Sequence, residues 1–255
     1  MNGDFSNLSF DISNQTVLVA GAAGGIGSVV SQMLATHGAR LILLDRDANR
    51  LDDLKSRVQG EQHFLELDIC DLAAMQELFK TLAKKDCLPN SVVNAVGMLP
   101  IRSALSLPAE EFRACLEINV TGAFILSQTA ADHMKKSEGG AIVHLSSVSA
   151  TVANVNYVSY ATSKAALDQM VRVLAREWAP LNIRVNAIGP ALIETPLTED
   201  YLRSPEFRSQ AIEAIPMGRL ATVEDLLGSI LLLLSPAGRF ITGQTIFIDG
   251  GRTLT

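Results

Sequence analysis

The sequence predicts a doubly wound α/β fold, in which one parallel sheet of seven strands is flanked by helices on both faces. Short runs of branched apolar residues alternate with longer stretches of helical periodicity along almost the whole chain. The strand-like runs are apolar at successive positions, as in strands that are covered on both faces. No linker, repeat or low-complexity segment divides the 255 residues, so residues 1–255 are predicted to form a single domain.

The first half of the chain alternates regularly after a polar N-terminal extension, residues 1–14. Residues 16–20 (TVLVA) are typical of a buried strand. Residues 24–37 carry apolar side chains at helical spacing and end before Gly38, a helix stop signal. The same two patterns then recur, and they predict strands over 40–44, 63–67 and 91–95 and helices over 48–58 and 72–83.

The second half of the chain has longer helices. Residues 110–136 are predicted to form one long helical region with room for a bend, and residues 157–179 form another that ends before a proline. The polar stretch 199–214 is interrupted by a proline and predicts one or two mobile helices. A final helix over 222–234 has its first residue, Thr222, as a candidate N-cap. Further strands are predicted over 141–146, 183–188 and 245–248.

The charge balance and the cysteines exclude several classes of protein. The chain has 21 Lys and Arg against 27 Asp and Glu, a net charge of −6, and this argues against a nucleic-acid or anionic-membrane binder. Three scattered cysteines fit free thiols in a reducing compartment, and no Cys/His cluster predicts a metal site. The most apolar run, 230–234, is far shorter than the ~20 residues that span a bilayer. We therefore expect a cytoplasmic protein without a targeting segment.

A glycine-rich turn joins the first predicted strand to the first predicted helix. Gly21, Gly25 and Gly27 have the spacing G-x-x-x-G-x-G. A strand that turns sharply into a helix presents free N–H groups to a pyrophosphate, and a Cβ atom would block that approach. The position of this loop between a buried strand and an amphipathic helix predicts a dinucleotide site of the Rossmann type.

The residues after the second strand bear on the choice of cofactor. Asp45 can accept both hydroxyls of the adenosine ribose and would repel a 2′-phosphate, which favours NAD over NADP. Arg46 is next to it and could bind a 2′-phosphate, so NADP remains open. Asp45 could alternatively serve as the cap of the helix over 48–58.

Three residues predict proton-transfer chemistry. Tyr160 and Lys164 are four residues apart on a predicted helix and share one face. A nearby ammonium lowers a tyrosine pKa, and such a tyrosine can exchange a proton with an alcohol or carbonyl. Ser147 follows the fifth strand and can hydrogen-bond the same substrate oxygen. These residues are predicted at the carboxyl ends of the strands, where open α/β sheets bind their ligands.

In combination, these residues resemble the short-chain dehydrogenase/reductase family, in its subgroup with a Tyr-x-x-x-Lys motif. The resemblance covers residues 16–251. The markers that carry it are Gly21, Gly25, Gly27, Asp68, residues 94–97, Asn119, Ser146, Ser147, Tyr160, Lys164, residues 188–196, and the C-terminal segments 241–245 and 249–251.

The resemblance implies an NAD(P)-dependent oxidoreductase that interconverts a secondary alcohol and a ketone. It implies that Tyr160 is the general acid/base and that Ser147 polarises the substrate oxygen. Lys164 would lower the tyrosine pKa and bind the nicotinamide ribose, and Asn119 would hold a water that relays protons. Besides Tyr160 and Lys164, the implied cofactor-binding residues are Gly21, Gly25, Ile26, Gly27, Asp45, Arg46, Asp68, Ile69, Asn94, Ala95, Gly97, Pro190, Ile193 and Thr195.

Several of these residues also have structural interpretations. Asn119 could act only as a cap, and Thr195 could be the N-cap before Pro196. Tyr157 either contacts substrate or packs at the surface, whereas His144 is predicted to be structural because it lies inside a strand.

The sequence departs from the usual family motifs at a few positions. Ala20 replaces the usual threonine before the glycine loop, and Ala95-Val96 replaces the usual Asn-Ala. Asn90 and Ala191 stand where the family usually has an acidic residue and a glycine. In the family, the threonine hydroxyl helps to tie the glycine loop to the turn that contains residue 95. We hypothesise that apolar packing replaces this tie between residues 20 and 95 here.

The substrate is predicted only by class. Residues 148–156 and the substrate loop, residues 194–216, follow the fifth and sixth strands, and in this fold such loops set specificity. The resemblance and Asp45 favour NAD-dependent turnover of a polyol, sugar or similar hydroxy compound. A 3-oxoacyl-carrier-protein reductase-like, NADPH-dependent ketoreductase is the alternative. A non-catalytic NAD-sensing protein is a more remote alternative, because such proteins typically lose the Tyr or Lys.

The long helices also bear on assembly. Residues 110–136 and 157–179 carry many small and apolar residues. The resemblance implies that these helices pair with their symmetry mates, which predicts a homodimer or homotetramer. Packing against the chain's own sheet is the alternative explanation for the same residues.

Overall fold

A computed structural model of the chain describes residues 9–255, so only part of the predicted N-terminal extension can be compared. That part is packed rather than free, because Ile12 is fully buried in the core. The seven strands are β1 (Thr16–Ala20), β2 (Arg40–Asp45), β3 (Gln62–Glu66), β4 (Ser91–Asn94), β5 (Gly140–Leu145), β6 (Ile183–Pro190) and β7 (Thr245–Ile248).

All strand pairs are parallel, and the strands lie in the order β3-β2-β1-β4-β5-β6-β7. The chain therefore winds outward in one direction from β1 to β3 and in the other from β4 to β7. A crevice forms at the carboxyl ends where the direction reverses, between β1 and β4. This confirms the predicted doubly wound sheet.

Nine α-helices are assigned within residues 9–255. They are α1 (Gly25–Thr36), α2 (Ala48–Lys55), α3 (Leu72–Lys84), α4 (Ala109–Leu116), α5 (Gly122–Met134), α6 (Val158–Trp178), α7 (Glu199–Leu202), α8 (Pro205–Glu213) and α9 (Glu224–Leu234). The predicted region 110–136 is divided by a π-helical turn, Glu117–Thr121. The predicted stretch 199–214 is two helices, because Pro205 opens the second one.

The predicted capping of the last helix is wrong. α9 begins at Glu224, and the Thr222 side chain caps no N–H group of the described chain. Instead, the backbone N–H of Thr222 donates to the Asp225 carboxylate at 2.8 Å, and Arg219 pairs with the same carboxylate at 2.7 Å. The Arg219 guanidinium holds the pKa of Asp225 well below its usual range. The acidic residue thus organises the chain that enters the helix.

The sheet separates two apolar clusters. One cluster lies under α1, α2 and α9, and the other lies under α3, α5 and α6. β1 is buried at every position, whereas the edge strands β3 and β7 are only partly covered. Ala20 is fully buried in the cluster against which Val96 packs, whereas Ala95 packs against the other cluster, so apolar packing between residues 20 and 95 stays a prediction.

In residues 9–255, no helix combines the length and the apolar character that a membrane crossing needs.

Candidate active site

The glycine loop packs tightly against two other segments of the carboxyl edge. Gly21 has φ +72°, and a Cβ on it would come within 2.9 Å of the carbonyl carbon of Ala95. A Cβ on Gly25 would come within 2.8 Å of Pro196 Cδ. Within the described chain, no side chain caps the N-terminus of α1. Its first N–H groups are therefore available to an anion, and the loop fits a pyrophosphate.

Asp45 lies at the end of β2 and holds the loop in place. Its carboxylate accepts hydrogen bonds from the backbone N–H of Ala23 at 3.0 Å and of Asp47 at 3.1 Å. The alternative that Asp45 caps the next helix is wrong, because Asp47 caps α2 by accepting from Arg50 N–H at 3.1 Å. A carboxylate has further acceptor sites, so Asp45 could still accept ribose hydroxyls.

The other residues implied at the adenosine end lie beside the crevice. Arg46 and Asp68 are exposed. Ile69 is a core residue, because its side chain packs under Gly122 at the start of α5. The Ile69 side chain therefore packs in the core, whether or not it also contacts an adenine ring.

A cavity of about 560 Å³ lies at the carboxyl ends of β4, β5 and β6. It brings together Ser147, Tyr160 and Lys164 with predicted cofactor residues of the nicotinamide end. Those cofactor residues are Ile26, Ala95, Gly97, Pro190, Ile193 and Thr195. The predicted residues that do not line this cavity are Gly21, Gly25, Gly27, Asp45, Arg46, Asp68, Ile69, Asn94 and Asn119.

Burial dominates the electrostatics of Tyr160 and Lys164. The ammonium Nζ lies 5.6 Å from the centre of the Tyr160 ring and donates to the Leu145 carbonyl at 2.7 Å. Burial raises the pKa of Tyr160 to about 12, and the neighbouring Ser147 hydroxyl only partly opposes this shift. Burial also lowers the pKa of Lys164 to about 8. The net pKa of Tyr160 is therefore raised, and a lowering contribution from Lys164 stays a prediction.

Ser147 is the second residue after β5 and the N-cap of a short 3₁₀ turn, Val148–Ala150. Its hydroxyl oxygen accepts from the backbone N–H of Ser149 at 3.1 Å. This bond fixes the side chain while its hydroxyl proton remains available for another acceptor. The geometry agrees with the predicted position of Ser147 beside Tyr160 in the cavity.

Asn119 is buried in the π-helical turn behind the cavity. Its amide oxygen accepts from Met98 N–H at 2.8 Å, and its amide nitrogen donates to the Met98 carbonyl at 2.9 Å and to Ser163 Oγ at 2.8 Å. The side chain thus joins the turn after β4 to α6. These bonds support a structural role, and the water-holding role stays a prediction.

His144 is fully buried in β5 and takes part in a directed chain of hydrogen bonds. Ser127 Oγ donates to the Ala123 carbonyl at 2.7 Å, so it must accept from His144 Nε2–H at 3.0 Å. His144 Nδ1 then accepts from Asn94 Nδ2 at 3.2 Å. Asn94 Oδ1 accepts from Val96 N–H at 3.1 Å. His144 is structural, as predicted, but it positions the turn that lines the cavity.

The substrate loop, residues 194–216, contributes side chains of α8 and of the segment before α7 to the cavity. Tyr201 on α7 donates from its hydroxyl to the Leu99 carbonyl at 3.2 Å and packs near Phe207, with 6.2 Å between ring centres. Arg208 on α8 pairs with Glu194 at 2.8 Å. Tyr157 also lines the cavity, which agrees with the predicted substrate-contact position.

Sequence reasoning missed several residues that line the cavity. Leu99 and Ile101 come from the loop after β4, Gln210 comes from α8, and Arg252 comes from the turn after β7. Of these residues, only Arg252 could have been predicted from the sequence, because it follows the C-terminal Asp-Gly-Gly segment at the ligand-binding edge of the sheet.

In residues 9–255, no group of three or more His, Cys, Asp or Glu side chains is arranged to hold a metal ion. Burial raises the pKa of the Cys70 thiol to about 11 and also raises that of Cys115, so these thiols are poor nucleophiles at neutral pH.

Comparisons with known proteins identify the family. A family model described as enoyl-(acyl carrier protein) reductase matches residues 21–253. A tropinone reductase homolog of Arabidopsis thaliana is 37% identical over 250 residues, which are 96% of this chain and 92% of that protein. An NAD-dependent glycerol dehydrogenase of Listeria innocua is 32% identical over 246 residues, 96% of each chain.

A solved structure shows the same fold. The gluconate 5-dehydrogenase of Burkholderia cenocepacia, in complex with NADP, aligns with a TM-score of 0.91 over 98% of this chain and 99% of that one, at 24% identity. The sequence relatives and the family model extend the likeness from the fold to the family. The chain therefore belongs to the short-chain dehydrogenase/reductase family of NAD(P)-dependent oxidoreductases, which act on CH–OH groups.

Proposed function

We propose that this protein interconverts a secondary alcohol and a ketone, with NAD as its cofactor and Tyr160 as the general acid/base. The observation that carries the proposal is the convergence of Ser147, Tyr160 and Lys164 on one cavity. The same cavity is lined by Ile26 and Thr195, which continue towards the glycine loop. Bound nicotinamide would supply or accept the hydride at this end of the crevice.

The protein groups hold and move the proton. With a pKa raised to about 12, Tyr160 is a neutral phenol at pH 7 and can donate its proton to a substrate oxygen. The Ser147 hydroxyl can donate to the same oxygen and stabilise the charge that develops on it. Lys164, with a pKa of about 8, remains largely an ammonium at pH 7 and can stabilise the tyrosinate that proton donation leaves behind.

Asp45 supports the choice of NAD. Its carboxylate is fixed at the end of β2 by two backbone N–H groups, where it would repel a 2′-phosphate. Arg46 is exposed beside it and could offer the opposite preference. The glycerol dehydrogenase of Listeria innocua is NAD-dependent, and a polyol, sugar or similar hydroxy compound is the substrate class that we propose here.

A second candidate is an NADPH-dependent reductase of 3-oxoacyl thioesters. It is favoured by the apolar side chains that the substrate loop and the loop after β4 bring to the cavity, which would suit an acyl chain. These side chains are Leu99, Ile101, Leu197 and Phe207.

A substrate and cofactor panel tests the proposal. Purified protein is incubated with NAD or NADP and a series of polyols, sugars and 3-hydroxyacyl thioesters, and the absorbance at 340 nm is followed. We expect turnover of at least one polyol or sugar with NAD. Turnover restricted to NADP and acyl thioesters would favour the second candidate. Cofactor binding without any turnover across the panel would instead favour the remote alternative, a non-catalytic NAD-sensing protein.

A further inference from the structure

The turn after β7 presents one arginine to the cavity. Gly250 and Gly251 both have left-handed backbones, with φ +59° and +91°. The Asp249 carboxylate closes the turn by accepting from Gly251 N–H at 3.0 Å and from Thr253 N–H at 2.8 Å. Arg252 follows within a 3₁₀ turn, so its position is fixed by the fold.

Arg252 is linked to the catalytic serine by a row of polar groups. Its Nη2 donates to Asn154 Oδ1 at 3.1 Å, and Asn154 Nδ2 donates to Ser149 Oγ at 3.3 Å. The backbone N–H of Ser149 in turn donates to Ser147 Oγ at 3.1 Å. All four residues line the cavity, so this row, which we call the polar wall, extends from the predicted reacting oxygen to the guanidinium.

The charge of the cavity is opposite in sign to the charge of the protein. The chain carries a net charge of −6, yet the cavity lining within residues 9–255 contains Lys164 and Arg252 and no Asp or Glu. No side-chain carboxylate of the described chain forms an ion pair with Arg252.

The guanidinium retains hydrogen-bonding capacity for a ligand. Besides Asn154, Arg252 donates within the described chain to the Thr255 hydroxyl at 3.3 Å and to the Thr255 main-chain oxygen at 3.5 Å. Three such bonds leave two of the five N–H donors of a guanidinium. A planar guanidinium with free donors recognises carboxylates in particular.

We propose that Arg252, oriented by Asn154, binds a carboxylate of the substrate, so that the preferred substrate is a hydroxy acid or the corresponding oxo acid. The hydroxyl or carbonyl group would lie at Ser147 and Tyr160, and the carboxylate would lie at the other end of the polar wall. This inference rests on the proposed function and narrows its substrate class.

Matched substrate pairs test the inference, because each pair differs only by a carboxylate in place of a CH₂OH group. Suitable pairs are 3-hydroxybutyrate with butane-1,3-diol and gluconate with sorbitol. We expect the acid of a pair to have the higher kcat/KM in the wild type. Arg252→Gln should lower kcat/KM for the acid by about 10- to 100-fold, mainly through KM, and change the neutral partner less than about 3-fold.

Two control variants separate recognition from folding. Arg252→Lys should retain part of the preference for the acid, because it keeps the charge but loses the planar fork. Arg57→Gln removes an exposed arginine that lies outside the cavity lining and outside residues 110–136 and 157–179, and it should change the turnover of neither substrate. An equal loss for acid and neutral substrates in Arg252→Gln would show a structural role and overturn the inference.

The inference and the proposed function can fail separately. Wild-type preference for the neutral partners would overturn the inference and leave the proposed function standing. If neither member of any pair is turned over, calorimetric titration of gluconate and 3-hydroxybutyrate into the protein with NAD still decides the matter. Binding that Arg252→Gln abolishes would support the carboxylate subsite, and absence of binding to the wild type would overturn it.

Discussion

At the scale of single residues, burial rather than sequence spacing decides how the titratable groups behave. Tyr160 and Lys164 are one helical turn apart, yet desolvation is the largest influence on the pKa of each side chain. Their pKa values move apart, that of Tyr160 up to about 12 and that of Lys164 down to about 8, so the neutral phenol and the ammonium coexist at pH 7. A proton can therefore be stored on Tyr160 until a substrate oxygen accepts it.

His144 gives a pH-dependent prediction. Burial lowers its pKa from 6.5 to about 3, so between these values the unfolded chain binds more protons than the folded one. The contribution of His144 to stability is thus complete above about pH 6.5 and is lost as the pH falls towards 3. We expect the free energy of unfolding of the wild type to fall more steeply from pH 6.5 to 4.5 than that of His144→Asn, as measured by urea denaturation.

A second substitution at the same position separates the hydrogen bonds from the titration. His144→Leu leaves Asn94 Nδ2 without its acceptor, which should cost about 1–3 kcal/mol at pH 7, whereas His144→Asn should cost less. Parallel pH curves for the wild type and His144→Asn would contradict the assigned role of the imidazole.

Asp45 gives a prediction about cofactor preference. Asp45→Ala and Asp45→Asn both remove the charge, so each should raise kcat/KM for NADP relative to NAD about tenfold or more, because a charge repulsion of about 1–4 kcal/mol is lost. Asp45→Asn can still accept from Ala23 N–H and should therefore have the higher melting temperature of the two. An unchanged ratio in steady-state assays would remove Asp45 from this role.

At the scale of secondary-structure elements, the π-helical turn and the substrate loop both hold the turn after β4, which lines the cavity. The π-helical turn at Glu117–Thr121 places Asn119 between the turn after β4 and α6. The substrate loop contacts the turn after β4 through the hydrogen bond from Tyr201 to the Leu99 carbonyl. The structure thus joins the turn after β4 to α6 on one side and to the substrate loop on the other.

The tether of the substrate loop can be tested on α7. Tyr201→Phe removes the hydrogen bond to the Leu99 carbonyl, so residues 199–213 should exchange amide hydrogens faster and the substrate KM should rise about 2- to 10-fold, with little change in kcat. Arg203→Gln, at the C-cap of the same helix, is the matched control, because the ion pairs of Arg203 are exposed. Equal exchange in all three proteins would exclude Tyr201 as a tether.

The regular elements and the cavity residues differ in how well the sequence predicts them. Strands that are covered on both faces are apolar at successive positions. Such runs therefore located all seven strands to within two residues at either end. The π-helical turn has no periodic signal, because tertiary hydrogen bonds of Asn119 accompany one locally wider turn. Arg252 was missed although it follows the C-terminal Asp-Gly-Gly segment, and Gln210 was missed because the sequence of the loop 194–216 does not show which of its side chains face the cavity.

At the scale of the whole molecule, the two long helical regions leave an outer surface with apolar side chains. Ala123, Ala130, Val171 and Leu174 are buried within the chain, which supports the intramolecular explanation for these four residues. On the outside, however, α5 and α6 expose Phe124 and Val173, among other residues. We propose that these faces pair between subunits, through residues 110–136 and 157–179.

Light scattering after size-exclusion chromatography tests this proposal. We expect a dimer or tetramer for the wild type and smaller species for Phe124→Asp, because a charge would be buried in the interface. Phe240→Asp places the same charge on an exposed phenylalanine outside both helical regions and should leave the assembly unchanged. A monomeric wild type at micromolar concentration would contradict the proposal.

The most direct test of the proposed chemistry is the rate of nicotinamide reduction at 340 nm by the wild type and by Tyr160→Phe, measured together at saturating NAD and the best substrate of the panel. Cofactor binding, followed by fluorescence, serves as the control that the variant is folded and loaded. We predict that Tyr160→Phe binds NAD normally and loses at least about 100-fold in kcat, the contribution typical of a positioned acid/base. A variant that retains kcat within about threefold of the wild type would contradict the assignment of Tyr160 as the proton-transfer group.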